Sequence, residues 1–138
     1  MSGARSSRAA LYRRVPYRVG PVAFRVGRRC PALGALLVPP GVGGPGAGGP
    51  GVGGIVTAWN PGGRRLPEAV NRRRAARLAE RLRGVVAIPG VNGEGRWREE
   101  ALLVLAAPRR IEALGRLLGQ DAVVLVRRGG QARLRFLR

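Results

Sequence analysis

The chain contains no histidine and a single cysteine, Cys30. Without imidazole there is no Ser–His or Cys–His pair and no histidine-based zinc site within one chain. One cysteine cannot close an internal disulfide. Lysine is missing as well, because all 26 basic residues are arginine. Acids are scarce, seven in 138 residues, and aromatics are limited to two each of Trp, Tyr and Phe. No apolar run approaches the roughly 18 residues that a membrane-spanning helix needs. Met1–Arg14 is basic but lacks the apolar core of a signal peptide. The expectation is a cytoplasmic protein with no membrane partner, no cofactor and no metal.

What is abundant is positive charge. The formal net charge is +19. Residues 1–60 hold eight arginines and no acid, and residues 61–138 hold eighteen arginines against seven acids. The wealth of Arg, Gly, Ala and Pro suggests GC-rich coding, which explains Arg in place of Lys but not the shortage of acids. A field of this strength attracts polyanions. Nucleic acid is the commonest one in a cell, and a sequence pI near 12 fits a nucleic-acid binder. The expected partner is the RNA or DNA phosphate backbone, with the ribosome among the candidate polyanions. The competing reading is a merely basic protein whose charge is compensated by some other partner.

Residues 1–10 are small and polar and read as a disordered basic arm, preceding a single domain over 11–138. Within Leu11 to Val19, positions 15, 17 and 19 alternate with Arg14, Pro16 and Arg18. Val22, Phe24 and Val26 alternate with Ala23 and Arg25 after a Gly20-Pro21 turn. Together they predict an N-terminal hairpin with an edge strand interrupted by Pro16. Leu33 to Val38 is a short apolar run of undetermined state. Residues 39–54 are almost wholly Gly and Pro and predict a flexible loop. They lack the Lys and Ser/Thr of a phosphate-binding Walker loop.

The stretch Ile55-Val56-Thr57-Ala58-Trp59-Asn60-Pro61 organises the rest of the chain. Ile55 to Trp59 favours strand. Pro61 cannot continue a ladder, Gly62-Gly63 permits a tight turn, and Pro67 suits a first helical turn. Pro67 to Arg83 is the strongest helix pattern. Asn71, Ala75, Leu78 and Leu82 share one stripe, Arg73, Arg77 and Arg81 another with Arg74 beside them, and Gly84 ends it. Val85 to Ile88 reads as a short strand and Gly90 to Gly95 as a loop. Trp97 to Glu100 leads into an apolar strand, Ala101 to Ala107. Pro108 opens a second helix to Leu118, and Asp121–Val126 and Ala132–Leu137 are further strands. From Ile55 the order is strand, helix, strand, strand, helix, strand. That order predicts an α+β, ferredoxin-like βαββαβ sandwich with helices on one face of an antiparallel sheet, extended by the N-terminal hairpin.

Thr57-Ala58-Trp59-Asn60-Pro61, Asn71, Trp97 with Glu99 and Glu100, and Gly119-Gln120-Asp121-Ala122 together resemble the bacterial domain of unknown function 3293 family. The resemblance covers roughly residues 11–126. Leu118 and Asp121 depart from the aromatic and the Asn of that family's helix exit. The resemblance implies a small cytoplasmic bacterial protein and supplies no established activity.

Two candidate sites emerge from the residues themselves. Arg64, Arg65, Arg73, Arg77 and Arg81 are candidates for phosphate contact. Arg64 and Arg65 stand close to a helix N-terminus, which suits an anion. Thr57, Asn60, Asn71, Glu99, Glu100 and Gln120 are candidates for a small-ligand or nucleotide pocket, or for a polar network that pins the strand–helix corner. Asn71, lying on an apolar stripe, needs buried partners, and Asn60 is the nearest in sequence. Gln120 comes after a helix end, and the sequence leaves open whether it reaches that corner. Catalysis is the weakest reading. Glu99 or Glu100 would be a general base and Arg64 or Arg65 an anion holder, with no nucleophile in sight.

Overall fold

The computed structural model describes residues 14–37, 51–95 and 97–137. The expected basic arm and most of the Gly/Pro-rich loop lie outside them. The described residues form a mixed α+β structure built on one antiparallel seven-stranded sheet. In chain order the elements are β1 Tyr17–Val19, β2 Val22–Phe24, α1 Pro31–Ala35, β3 Val52–Val56, α2 Glu68–Arg81, β4 Ala87–Glu94, β5 Trp97–Val104, α3 Pro108–Leu117, β6 Ala122–Arg127 and β7 Gln131–Phe136. The order across the sheet is β2-β1-β4-β5-β3-β6-β7. No helix among the described residues is long and apolar enough to cross a membrane.

β3, the second half of β5 (Ala101–Val104) and β6 from Ala122 to Val126 carry only apolar residues and glycine because both faces are covered there. Ile55, Leu103, Leu105, Val124 and Val126 point to one side, where Tyr17, Phe24, Leu33 and Leu37 pack on them. Val56, Val104, Ala106 and Val123 point to the other, against Leu78 and Leu82 of α2 and Ile111 and Leu114 of α3. Helices α2 and α3 therefore share one face, as the apolar stripes predict. Leu103 and Ile111 are completely buried, each contributing about 1.5–3 kcal/mol of transfer free energy.

The sheet also curls. The Gly27 N–H donates to the Ala132 carbonyl at 2.9 Å, Arg29 bridges Gln131, and the Cys30 N–H donates to the Gly130 carbonyl at 2.9 Å. The chain after β2 thus reaches β7 at the opposite edge. This partial closure wraps the first core cluster around α1 and shields part of an exposed edge.

Several boundaries differ from the sequence expectation. The Gly/Pro-rich stretch ends early, because Val52, Gly53 and Gly54 belong to β3 in the middle of the sheet. Here glycine is demanded by close approach. A Cβ on Gly53 would sit 2.8 Å from the Val104 carbonyl oxygen, and one on Gly54 would collide with the Ile111 side chain. The expected loop Gly90–Gly95 is instead mostly strand. β4 runs from Ala87 to Glu94 and pairs along its whole length with β5. Glycine suits position 90 because β1 lies so close that a Cβ there would strike the Arg18 carbonyl. Trp97–Glu100, read as a mixed segment, is the first half of β5. The undetermined run after Cys30 contains α1. The strand expected over Ile55–Trp59 stops at Val56, because the Thr57 hydroxyl takes over the backbone bonding beyond it.

Replacing Gly54 by Val forces two methyl groups into the space that Ile111 fills. The expected cost is about 1–3 kcal/mol of overpacking. It is read as a lower melting temperature, and an unchanged melting temperature would contradict this account of α3 packing.

Candidate functional site

Where β3 ends, the backbone leaves the ladder and its polar groups need other partners. Side chains supply them. The Thr57 hydroxyl accepts from the Trp59 N–H at 3.0 Å and donates to the Glu100 carbonyl at 2.7 Å. This local turn replaces the ladder and stops the strand. Arg74 Nε donates to the Ala58 carbonyl at 2.6 Å. Gln120 Nε2 donates to the Trp59 carbonyl at 2.9 Å. Asn71 Oδ1 accepts from the Asn60 N–H at 3.0 Å. The Asn60 carbonyl accepts from the Gly63 N–H at 3.0 Å, which starts the 3-10 turn Pro61–Gly63.

Asn60 itself is left-handed, with φ 46° and ψ 61°, and is the one non-glycine residue with positive φ among those described. Asn visits this region more readily than other side-chain-bearing residues. Its side chain is then fully occupied on the oxygen side. Oδ1 accepts from the Leu66 N–H and from Asn71 Nδ2, both at 2.9 Å. Asn71 Nδ2 also donates to the Leu66 carbonyl at 3.2 Å. Asn60 and Asn71 are 5% and 2% exposed, as expected of an amide on the apolar stripe. The pair staples the strand end, the connecting turn and the first helical turn together.

From this pair one bond leads outward, Asn60 Nδ2 to Glu99 Oε2 at 2.9 Å. Glu99 is half-buried, on β5 beside the corner. Burial pushes its carboxyl above the ordinary carboxylate value, partly offset by the Asn60 hydrogen bond. Glu100, its exposed neighbour, lies 3.9 Å from Arg72, which is paired more closely with Glu68 at 2.6 Å. Between the start of α2 and the β4–β5 hairpin lies a cleft of about 410 Å³, lined by Trp59, Asn60, Arg65, Arg98 and Glu99 among others. The Trp59 indole N–H is buried and has no protein acceptor among the described residues.

The structure therefore brings Thr57, Asn60, Asn71, Glu99, Glu100 and Gln120 to one corner. The place of Gln120 was left open by the sequence. The exit of α3 places it here: the Gly119 N–H donates to the Arg116 carbonyl and the Gln120 N–H to the Gly115 carbonyl, at 3.1 and 3.0 Å. Gly119 takes the required left-handed conformation, φ 71°. Arg64 and Arg65 are exposed, and Arg65 lines the cleft. The first turn of α2 already carries Glu68, which complements the helix dipole without any bound anion. Arg73, Arg77 and Arg81 are exposed. Arg74 does not join them, because it turns inward to Ala58 and also to the Leu118 carbonyl at 2.7 Å. Sequence reading missed it, although its spacing three after Asn71 and four before Leu78 puts it on the buried stripe.

The raised pKa of Glu99 gives a pH test. Between the unfolded value, near 4.5, and the higher folded value, the folded chain binds more protons than the unfolded one. The Glu99 contribution to stability is therefore present at low pH and lost as pH rises through the folded value. Glu99→Gln keeps an acceptor for Asn60 and removes the ionisation. The melting temperature of the parent should fall relative to that of the variant as pH rises above about 4.5. Parallel pH profiles would contradict the burial of this carboxyl.

Residues 56–123 match the model of the family described as Protein of unknown function (DUF3293). This is narrower than the expected 11–126, since β1, β2, α1 and all of β3 but Val56 lie outside it. No curated protein and no solved structure matches the chain. The matched stretch contains the strand end, α2, the β4–β5 hairpin, α3 and every side chain of the corner, and through it the chain resembles the DUF3293 family.

Proposed function

We propose that this protein binds nucleic acid, RNA in preference to DNA, through arginine–phosphate contacts made without strong sequence preference. The observation that carries this reading is the outer face of α2. Arg73, Arg77 and Arg81 stand four residues apart, all exposed, and none has an acidic partner among the described residues. The ion pairs among described residues involve Arg72 and Arg135, so most guanidinium groups of this +19 chain are uncompensated. Four residues of helix rise by about 6 Å, so the stripe runs as a ladder of charge along the helix. Each phosphate neutralised releases condensed counterions, which favours association most at low salt. Such contacts position a strand without reading its bases. We place this activity in the cytoplasm. We also read the strands β6-β3-β5-β4, with α2 and α3 on one face, as a ferredoxin-like core to which β1, β2 and β7 are added. Its two central strands are β3, which carries no aromatic, and β5, whose inner half Ala101–Val104 carries none, so the sheet lacks the stacked aromatics of an RNA-recognition surface there.

The test is binding to RNA duplexes of unrelated sequence across a salt series. Log affinity should fall linearly with log salt, with similar slopes for different sequences. Replacing Arg73, Arg77 and Arg81 together by Gln should flatten the slope by about 0.9 for each phosphate no longer neutralised. No affinity at low salt, or affinity indifferent to salt, would overturn the proposal.

A further inference from the structure

Besides the Trp59 indole N–H, the corner network leaves one carboxylate oxygen free to meet a ligand. Asn71 spends both amide protons and its oxygen inside the corner, and the Asn60 oxygen takes two donors. The amides are therefore positioning groups. What they position is the Glu99 carboxylate, held through Oε2 by Asn60 and with no partner for Oε1 among the described residues. It faces the cleft of about 410 Å³, large enough for a ligand of nucleotide size.

The cleft differs from the rest of the surface in charge. Arg65, Arg72 and Arg98 line it together with Glu68, Glu99 and Glu100, so it is locally neutral in a chain of net charge +19. A cation would suit Glu99, but the field of the whole chain repels it. A bare anion would suit Arg65 and Arg98, neither of which has an acidic partner among the described residues, but it would meet Glu99. A ligand satisfying both carries an anionic group and, some distance away, adjacent N–H donors. Trp59, Leu66 and Val91 are the apolar residues among those lining this mostly polar cleft, and a flat ring can pack on them. Among the nucleobases, guanine is the one whose Watson–Crick edge offers two adjacent donors, N1–H and the 2-amino group. Adenine and cytosine set one donor beside an acceptor, and uracil has one donor between two acceptors.

We propose that this cleft binds a guanine nucleotide. Glu99 accepts from N1–H and the 2-amino group, and Arg65 and Arg98 hold the phosphate. The site goes beyond the phosphate contacts of the α2 stripe and does not use Arg73, Arg77 or Arg81. The guanine belongs either to a free nucleotide or to an unpaired position in a strand.

The experiment is calorimetric titration of the intact chain with guanosine monophosphate, adenosine monophosphate and inorganic phosphate. A second arm uses single-stranded RNAs that differ by one guanine-to-adenine exchange. Guanine should be preferred over adenine by about tenfold or more, a difference of the size a two-donor contact gives. Glu99→Gln should abolish the preference, because a carboxamide presents one acceptor and one donor. Arg98→Gln, at an exposed position, should weaken both mononucleotides alike and leave their ratio intact. A preference seen with mononucleotides assigns the site to free nucleotide, and one confined to the RNAs assigns it to a strand. Replacing Arg73, Arg77 and Arg81 should leave the ratio unchanged, so loss of duplex binding and loss of guanine preference are read separately. Equal affinity for guanine and adenine in both arms would overturn the proposal. So would a preference that survives Glu99→Gln, or Arg98→Gln without effect.

Discussion

The reciprocal hydrogen bonding of Asn60 and Asn71 is the constraint on which the rest of the corner depends. A strand that stops inside a protein strands its own N–H and C=O groups away from water. Each such group costs about 1–3 kcal/mol if it is left unpaired. Here Thr57, Arg74, Gln120 and Asn71 meet them one by one. Three of these four side chains come from elements distant in sequence, so the same bonds that end β3 also dock α2 and the exit of α3 against it. The amides are buried at low dielectric, where satisfied networks are rigid and half-satisfied ones are costly. The outcome is one fixed carboxylate, Glu99, at the mouth of a cleft.

Arginine has two distinct employments in this chain. Arg74 is structural: its planar guanidinium reaches two carbonyls at once, Ala58 and Leu118, and so ties α2 to the ends of both β3 and α3. Lysine, a point charge on a flexible stem, would not span that fork. Arg73, Arg77 and Arg81 point away and have no acidic partner among the described residues. Residues adjacent in sequence thus serve the fold and the solvent face because the helical repeat turns them in different directions.

Much of this was legible from residue patterns. The stripe Asn71, Ala75, Leu78, Leu82 named the buried face of α2, and the odd polar member of that stripe pointed at a buried partner. Helix α3 was readable from Pro108 at its start, and β6 and β7 from the strand patterns of Asp121–Val126 and Ala132–Leu137. What was not legible was tertiary. Gly53 and Gly54 look like loop residues, yet they sit in a central strand because Ile111 and the Val104 carbonyl press on them. Gly90 and Asn92 look like a turn, yet full pairing with β5 overrides their local preference. The place of Gln120 was left open because the path of the chain after a helix exit depends on where α3 docks. Glu99 was visible as an acid, but its hydrogen bond to Asn60 required the register of β5.

The central claim is that Asn60 and Asn71 act as one unit. A double-mutant cycle with Asn60→Gly, which keeps the left-handed backbone without strain, and Asn71→Ala measures it directly by denaturant unfolding. The coupling between the two side chains should be about 0.5–3 kcal/mol, so that the double variant is destabilised clearly less than the sum of the two single variants. Effects that add within about 0.5 kcal/mol would mean that the two amides are independent, and the account of the corner would be wrong.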